Sequence, residues 1–187
     1  MFYDLTSARR SLRQFNEGFV PSSPLEAKAA IESLAVVEKL AAGQRLRLLA
    51  HLEADAATVD WLSKQTGQTR RDAEQDLDTA ASVAEGSPTD EALRDGRLST
   101  DQAREVASGA AADPSAEQGL LDSARDESIA ELKRKAKRVR AAATDDAEKN
   151  ERARKERDLS AGVDEETGKG WWHLSGPAAD VARMNSY

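Results

Sequence analysis

Residues Thr58 to Ala81 read TVDWLSKQTGQTRRDAEQDLDTAA, and the fold is decided by how this stretch is parsed. A short helix, a Thr66-Gly67-Gln68 turn and a second helix opening at Thr69 give the outline of a helix-turn-helix. Val59, Trp61 and Leu62 supply the inward side of the first helix, while Ala73, Leu77 and Ala80 recur at i, i+4 and i+7 on one face of the second. Arg70 and Arg71 fall in the first turn of the second helix, where a recognition helix presents side chains to a major groove. Thr66, Gln68 and Asp76 occupy positions that such motifs fill with apolar residues, and Asp72, Glu74, Asp76 and Asp78 make the second helix acidic. Two readings stay open: a DNA reader, or an ordinary helical hairpin.

Upstream, Ser23-Pro24-Leu25-Glu26 is a helix start: Ser23 caps, Pro24 takes the first position and Glu26 completes a capping box. Ala27, Ala30/Ile31, Leu34, Val37/Glu38 and Ala41 carry the stripe onward and Leu46, Leu48, Leu49 and Leu52 extend it, predicting a spine helix from Pro24 to about Ala54, roughly 45 Å long at 1.5 Å per residue. Gly43 marks a bend or split in it. Before the spine, Leu5, Ala8, Leu12, Phe15 and Phe19 recur at helical spacing with Arg9, Arg10 and Arg13 on the other side, a docking helix joined by a Gly/Pro-containing linker.

Downstream, short helices follow with clear punctuation. Ser87-Pro88 starts one that stops at Gly96, Ser99-Thr100-Asp101-Gln102 is a capping box, and Asp113-Pro114 starts a helix burying Leu120, Leu121 and Ala124. Ser128-Ile129-Ala130-Glu131 opens a basic helix with Ile129, Leu132, Ala136, Val139 and Ala143 as its apolar line. Beyond Ala143 the stripe fades into alternating charge, which predicts an extension held by i, i+4 pairs. Residues 159–163 and 170–174 then read as a β-hairpin, and Gly176-Pro177 opens a helix that stops at Tyr187 after about two turns, as if truncated. The whole is an all-α, multi-helix bundle with a helix-turn-helix-like hairpin, a long basic helix and a small C-terminal β-hairpin. Its expected parts are a docking helix and linker (1–22), a helical core (23–143, with the hairpin at 58–81) and a charged extension, β-hairpin and truncated helix (144–187).

The composition narrows the function classes. With 187 residues, 39% hydrophobic and only 4% aromatic, the core is built from close helix contacts rather than large rings. There is no cysteine, which excludes disulfides, thiolate nucleophiles and cysteine metal sites. No apolar run is long enough to span a bilayer, and the N-terminus lacks a signal-peptide core, so a cytoplasmic protein is expected and no membrane partner. The net charge is -7, yet Leu132 to Arg157 holds eleven Lys/Arg against five Asp/Glu, a local +6 that leaves -13 elsewhere. A polyanion has to meet that segment locally.

The order of the pieces carries a family signal. WLSKQTGQTRRDAE, then ALRDGRLSTDQAREV, then ARDESIAELKRKAKRVR, then GKGWWHLSGP resembles the actinobacterial 13E12-repeat family, over roughly residues 25–184. The pairing of Trp61-Leu62…Thr66-Gly67 with Gly96-Arg97-Leu98-Ser99 is the most specific piece. That family is a domain of unknown function commonly found in front of an HNH endonuclease module, including in mycobacteria and their phages. The resemblance implies an all-helical N-terminal domain that delivers or regulates a nuclease. The nuclease itself is missing from this sequence: an HNH site needs several histidines with an asparagine or aspartate on a ββα unit to hold a metal, and only His173, with Asn185 twelve residues on, stands in the relevant region. His173 reads as a hairpin side chain, so no catalytic residue, metal or cofactor is expected.

Candidate sites are therefore binding sites. Lys133, Arg134, Lys135, Lys137, Arg138 and Arg140 surround the Leu132/Ala136/Val139 line. They read either as a solvated face whose stems cover apolar neighbours or as phosphate contacts that follow a DNA backbone without reading bases. Trp171-Trp172 puts one ring on each face of a strand. One ring closes the core on this reading, and the other marks an interface with a missing module or an oligomer partner. Asp164-Glu165-Glu166 reads as a solvated turn. The expected function is non-enzymatic DNA binding or targeting, with Arg70 and Arg71 at the groove, Lys133, Arg134, Lys137, Arg138 and Arg140 on phosphates, and double-stranded DNA as partner. The alternative is a helical interaction or regulatory factor of phage or mobile-element origin, binding a protein partner or its own copy.

Overall fold

A computed structural model describes residues 2–144, 155, 157–163 and 167–177, without the side chains of residues 2–4, 172 and 174. Among these residues lie α1 (Phe2–Gly18), α2 (Pro24–Leu49), α3 (Ala56–Thr66), α4 (Arg70–Ser82), α5 (Pro88–Arg94), α6 (Thr100–Ala112), a 3-10 turn (Pro114–Ala116), α7 (Glu117–Asp126), α8 (Ile129–Ala143), β1 (Asp158–Val163) and β2 (Gly170–Ser175). The fold is a mostly helical one with a small antiparallel hairpin, as the sequence pattern predicts. The chain divides into two compact units, residues 1–103 and 104–187, and the division falls inside α6. Most of the charged extension (145–154 and 156), the acidic turn 164–166 and the helix expected after Pro177 lie outside the described residues.

In the first unit α2 starts where expected, but its cap differs by one residue. The Ser23 hydroxyl accepts from the Glu26 N–H, whereas the Glu26 carboxylate accepts from the N–H and hydroxyl of Ser22, at 2.6 and 2.5 Å, rather than from Ser23. These bonds hold Glu26 below the ordinary carboxylate range, the Ser22 hydroxyl contributing most. The helix ends at Leu49, five residues before the expected Ala54. Its last turn tightens, with Ala50 N–H donating to Leu46, His51 to Leu48 and Leu52 to Leu49, because Asp55 is already in use as the cap of α3 through Thr58 N–H.

Gly43 neither bends nor splits α2. It lets the helix pass directly against α5, for a Cβ there would collide with the backbone carbonyl of Leu93. Alanine at this position gains about 1 kcal/mol of helix propensity, but driving a methyl into a backbone carbonyl costs about 1–3 kcal/mol. Gly43→Ala is therefore expected to lower stability by up to about 2 kcal/mol, read as a shift of the urea midpoint at unchanged slope.

The 58–81 stretch does fold as helix, turn, helix. Gly67 sits at φ 71°, a conformation that glycine adopts without Cβ strain, and its N–H closes α3 on the Ser63 carbonyl. Ser63 Oγ then donates to the Gln68 carbonyl at 2.7 Å, and the Thr69 hydroxyl caps α4 through the Asp72 N–H. Val59 and Leu62 are buried, as are Ala73, Leu77 and Ala80. Trp61 is not: it is 51% exposed, since one residue before Leu62 at 100° per residue it turns away from the Val59–Leu62 face. Asp76 departs further from expectation. Only 2% exposed, it lies in the core of the hairpin instead of on an acidic surface, accepting from Gln68 Nε2 at 3.2 Å with the Arg45 guanidinium of α2 at 3.7 Å. Two of the polar positions that make this a poor match to an apolar helix-turn-helix, Gln68 and Asp76, thus tie turn, α4 and α2 together, while Thr66 donates to the Leu62 carbonyl of its own helix.

A second buried carboxylate repeats the arrangement. Asp90 of α5, 3% exposed, accepts from the Gly86 N–H at 2.9 Å and pairs with Arg94 at 2.5 Å and with Arg47 of α2 at 3.2 Å. Burial pushes its carboxyl up, but the Gly86 bond, then Arg94 and Arg47, outweigh burial and hold it below the ordinary value of 3.8. The helix ends in a Schellman turn, Arg97 N–H donating to Ala92 and Gly96 N–H to Leu93, with Gly96 at φ 65°. The Ser99–Gln102 capping box that opens α6 is present in both directions.

The second unit buries Val106, Ala107, Leu120, Leu121, Ala124, Leu132 and Ala136. Ser128 and Glu131 form the expected capping box of α8, which packs on α7. The hairpin strands pair in register Ser160↔His173, Ala161↔Trp172 and Gly162↔Trp171, one residue longer at each outer end than the pattern predicts.

Candidate nucleic-acid interface

The apolar line of α8 is narrow: Leu132 and Ala136 are fully buried, and Val139 is half-buried. Lys135 and Arg140 flank this seam on its two sides, and each is engaged within the unit. Lys135 Nζ reaches Glu127 at 2.7 Å and Ser123 Oγ at 2.8 Å; Arg140 reaches Ser108 Oγ at 2.9 Å and Glu105 at 3.4 Å. These two cations brace α8 against its neighbours.

Opposite the seam, Lys133, Arg134, Lys137 and Arg138 stand exposed. At helical spacing they make two adjacent i, i+4 rows, so the four charges share one outward face. Arg134 makes one long contact to Glu131, at 3.5 Å and largely in solvent, which is worth little. Lys133, Lys137 and Arg138 pair with no carboxylate among the described residues. A face of this kind offers phosphate-binding charge at low cost, because only the weak, solvent-exposed Arg134–Glu131 contact has to give way. Lys155 and Arg157, in the charged extension, both have partners within the chain.

On α4 the two arginines of the first turn differ. Arg70 is bound to Asp60 of α3 and lies 3.3 Å from Glu74, so its fork is occupied within the helix-turn-helix. Arg71 is exposed, with no partner among the described residues. The geometry thus brings Lys133, Arg134, Lys137 and Arg138 together on one face, while Arg70 and Arg140 are drawn into local pairs. The signal that separates them is available in helical arithmetic: Arg140 lies near the Leu132/Ala136 line, and Arg70 has acids both across the turn and four residues ahead.

Trp171 is 51% exposed, its ring lying over Gly162, where an added Cβ would come within 2.8 Å of it. The side chain of Trp172 lies outside the described residues. His173 is exposed on the hairpin, opposite Ser160. No group of three or more His, Cys, Asp or Glu among the described residues has metal-binding geometry. No described helix is long and apolar enough to cross a membrane. Sequence reasoning did not find Arg45 and Arg47, which hold the buried Asp76 and Asp90; their i, i+2 spacing in a leucine-rich turn is the only local signal. The chain matches no protein-family model, no curated protein and no solved structure.

Proposed function

We propose that this chain is a non-enzymatic DNA-binding or targeting domain, related to the N-terminal part of HNH-endonuclease-associated proteins, that holds double-stranded DNA by its phosphates. The observation that carries the reading is the outward face of α8, where Lys133, Arg134, Lys137 and Arg138 gather on a molecule of net charge -7. Such a face positions a protein on a duplex without reading sequence. Arg71 is the residue of the helix-turn-helix best disposed to add a groove contact, whereas Arg70 would first have to leave Asp60 and Glu74.

Fluorescence anisotropy of a labelled 30-base-pair duplex tests this. Four phosphate contacts correspond to a log-log salt slope of about -3.6, or roughly a 10²-fold loss of affinity between about 50 and 200 mM salt. Absence of binding at the lower salt would remove the proposal. The second reading, a helical protein-interaction or regulatory factor of phage or mobile-element origin, draws on the exposed Trp171 and the acidic balance. It is favoured by a pull-down that returns one protein partner and no nucleic acid after nuclease treatment.

A further inference from the structure

The basic face of α8 is divided into two rows, and the division decides how a duplex can meet it. Lys135 reaches Ser123 of α7 and Glu127 just beyond it, while Arg140 reaches Glu105 and Ser108 of α6. One flank of the helix therefore faces α7 and the other faces α6. At about 100° per residue, Lys133 and Lys137 fall on the α6 side of the outward face and Arg134 and Arg138 on the α7 side. Midway between the rows, on the outermost line of the helix, stand Ala130 and Ala141, both exposed. Glu131, the one acid of α8, is held at the helix start by the N–H and hydroxyl of Ser128.

These dimensions suit a groove better than a single strand. The four cations span about 7.5 Å of helix axis, which passes about two phosphates of one strand. Laid along that strand, the two rows would compete for the same phosphates. The major groove is about 12 Å wide and a helix with its side chains about 10–12 Å across, so in the groove the rows reach opposite walls and each cation meets its own phosphate. The alanines between them leave the floor of the groove unobstructed. On the arginine side, the exposed acids Asp122 and Asp126 of α7 are paired with Arg125, which offsets their repulsion of the strand there. The helix in the recognition position is less suited: beyond Arg71, α4 presents Glu74 and Asp78 outward, acids that repel both walls of a groove.

Resting on the reading of α8 as a phosphate-binding face, we infer that α8 is itself the element that enters DNA. It seats lengthwise in the major groove of a B-form duplex, with Lys133 and Lys137 on the phosphates of one strand and Arg134 and Arg138 on those of the other. A-form RNA offers no such seat, because its major groove is deep and too narrow for side chains to enter.

Fluorescence anisotropy with three labelled probes of one sequence is the test: plain duplex DNA, duplex DNA whose cytosines carry glucosylated 5-hydroxymethyl groups, and duplex RNA. The glucose projects from the C5 edge into the major groove and leaves every phosphate in place. Lifted out of the groove, the helix keeps one row within reach. Affinity for the glucosylated and RNA duplexes should therefore fall about tenfold or more at about 50 mM salt, with a salt slope of about -1.8 in place of about -3.6. Equal affinity and slope for plain and glucosylated DNA overturn the groove seat and leave the phosphate-binding reading standing. Equal binding of the RNA overturns it too, because a contact indifferent to groove form is a backbone contact. Absence of binding to the plain duplex at about 50 mM salt removes both readings. The change is made in the probe, so no outcome depends on how a variant folds.

Discussion

Replacing Lys133, Arg134, Lys137 and Arg138 together by alanine should reduce affinity for a 30-base-pair duplex roughly 10²-fold or more at about 50 mM salt and flatten the salt slope from about -3.6 towards zero. The effect is large because the four side chains act on the same polyanion from one helical face. It should be free of structural damage, since all four are exposed and α8 is held through Leu132, Ala136, Lys135 and Arg140. Arg140→Ala supplies the contrast. Its guanidinium is committed to Ser108 and Glu105, so it should lower stability while leaving the slope nearly unchanged. If the fourfold variant binds as the parent does, the phosphate assignment on α8 is wrong, whatever else the protein does.

Asp90→Ala should be among the most destabilising single changes in the first unit, by about 3 kcal/mol. Removing one partner of a buried ion pair typically costs about 3–5 kcal/mol, and Arg47 and Arg94 are each more than a third exposed, which discounts the upper end. The Gly86 N–H loses its acceptor as well. The same site gives the protein an acid limit. Because the folded Asp90 titrates below the ordinary 3.8, its contribution is fully present above that value. As pH falls further the unfolded chain takes up the proton first, and the contribution is lost as pH passes down through the folded pKa. Urea midpoints of parent and variant should therefore differ most above pH 5 and converge on acidification. A constant difference across that range would show that Asp90 acts by packing alone.

These two sites show how far local pattern carries. Helix starts were legible because a cap is a local bargain between one side chain and an N–H two or three residues on. Ser87, Ser99 and Ser128 all cap as their spacing predicts. The Gly67 turn and the strand pairing were legible for the same reason, as was the basic character of α8. Glu26 shows the limit even at that range, for the capping-box spacing points its carboxylate to Ser23 and only the chain path brings it to Ser22.

The sequence by itself determined the helical class, the order of elements and the gathering of positive charge between Lys133 and Arg140, all of which depend on neighbours within a few residues. Tertiary structure alone decided which distant partners the buried carboxylates and Arg140 meet. Asp76 meets Arg45 and Asp90 meets Arg47 across separations of more than thirty residues, Arg140 meets Glu105 at a separation of 35, and Gly43 is a contact point rather than a bend because Leu93 arrives there. Burial depends on what the rest of the chain places against a residue, and an ion pair on which opposite charge arrives first. Neither is encoded in helical periodicity, so Asp76 lies in the core although its helix is acidic.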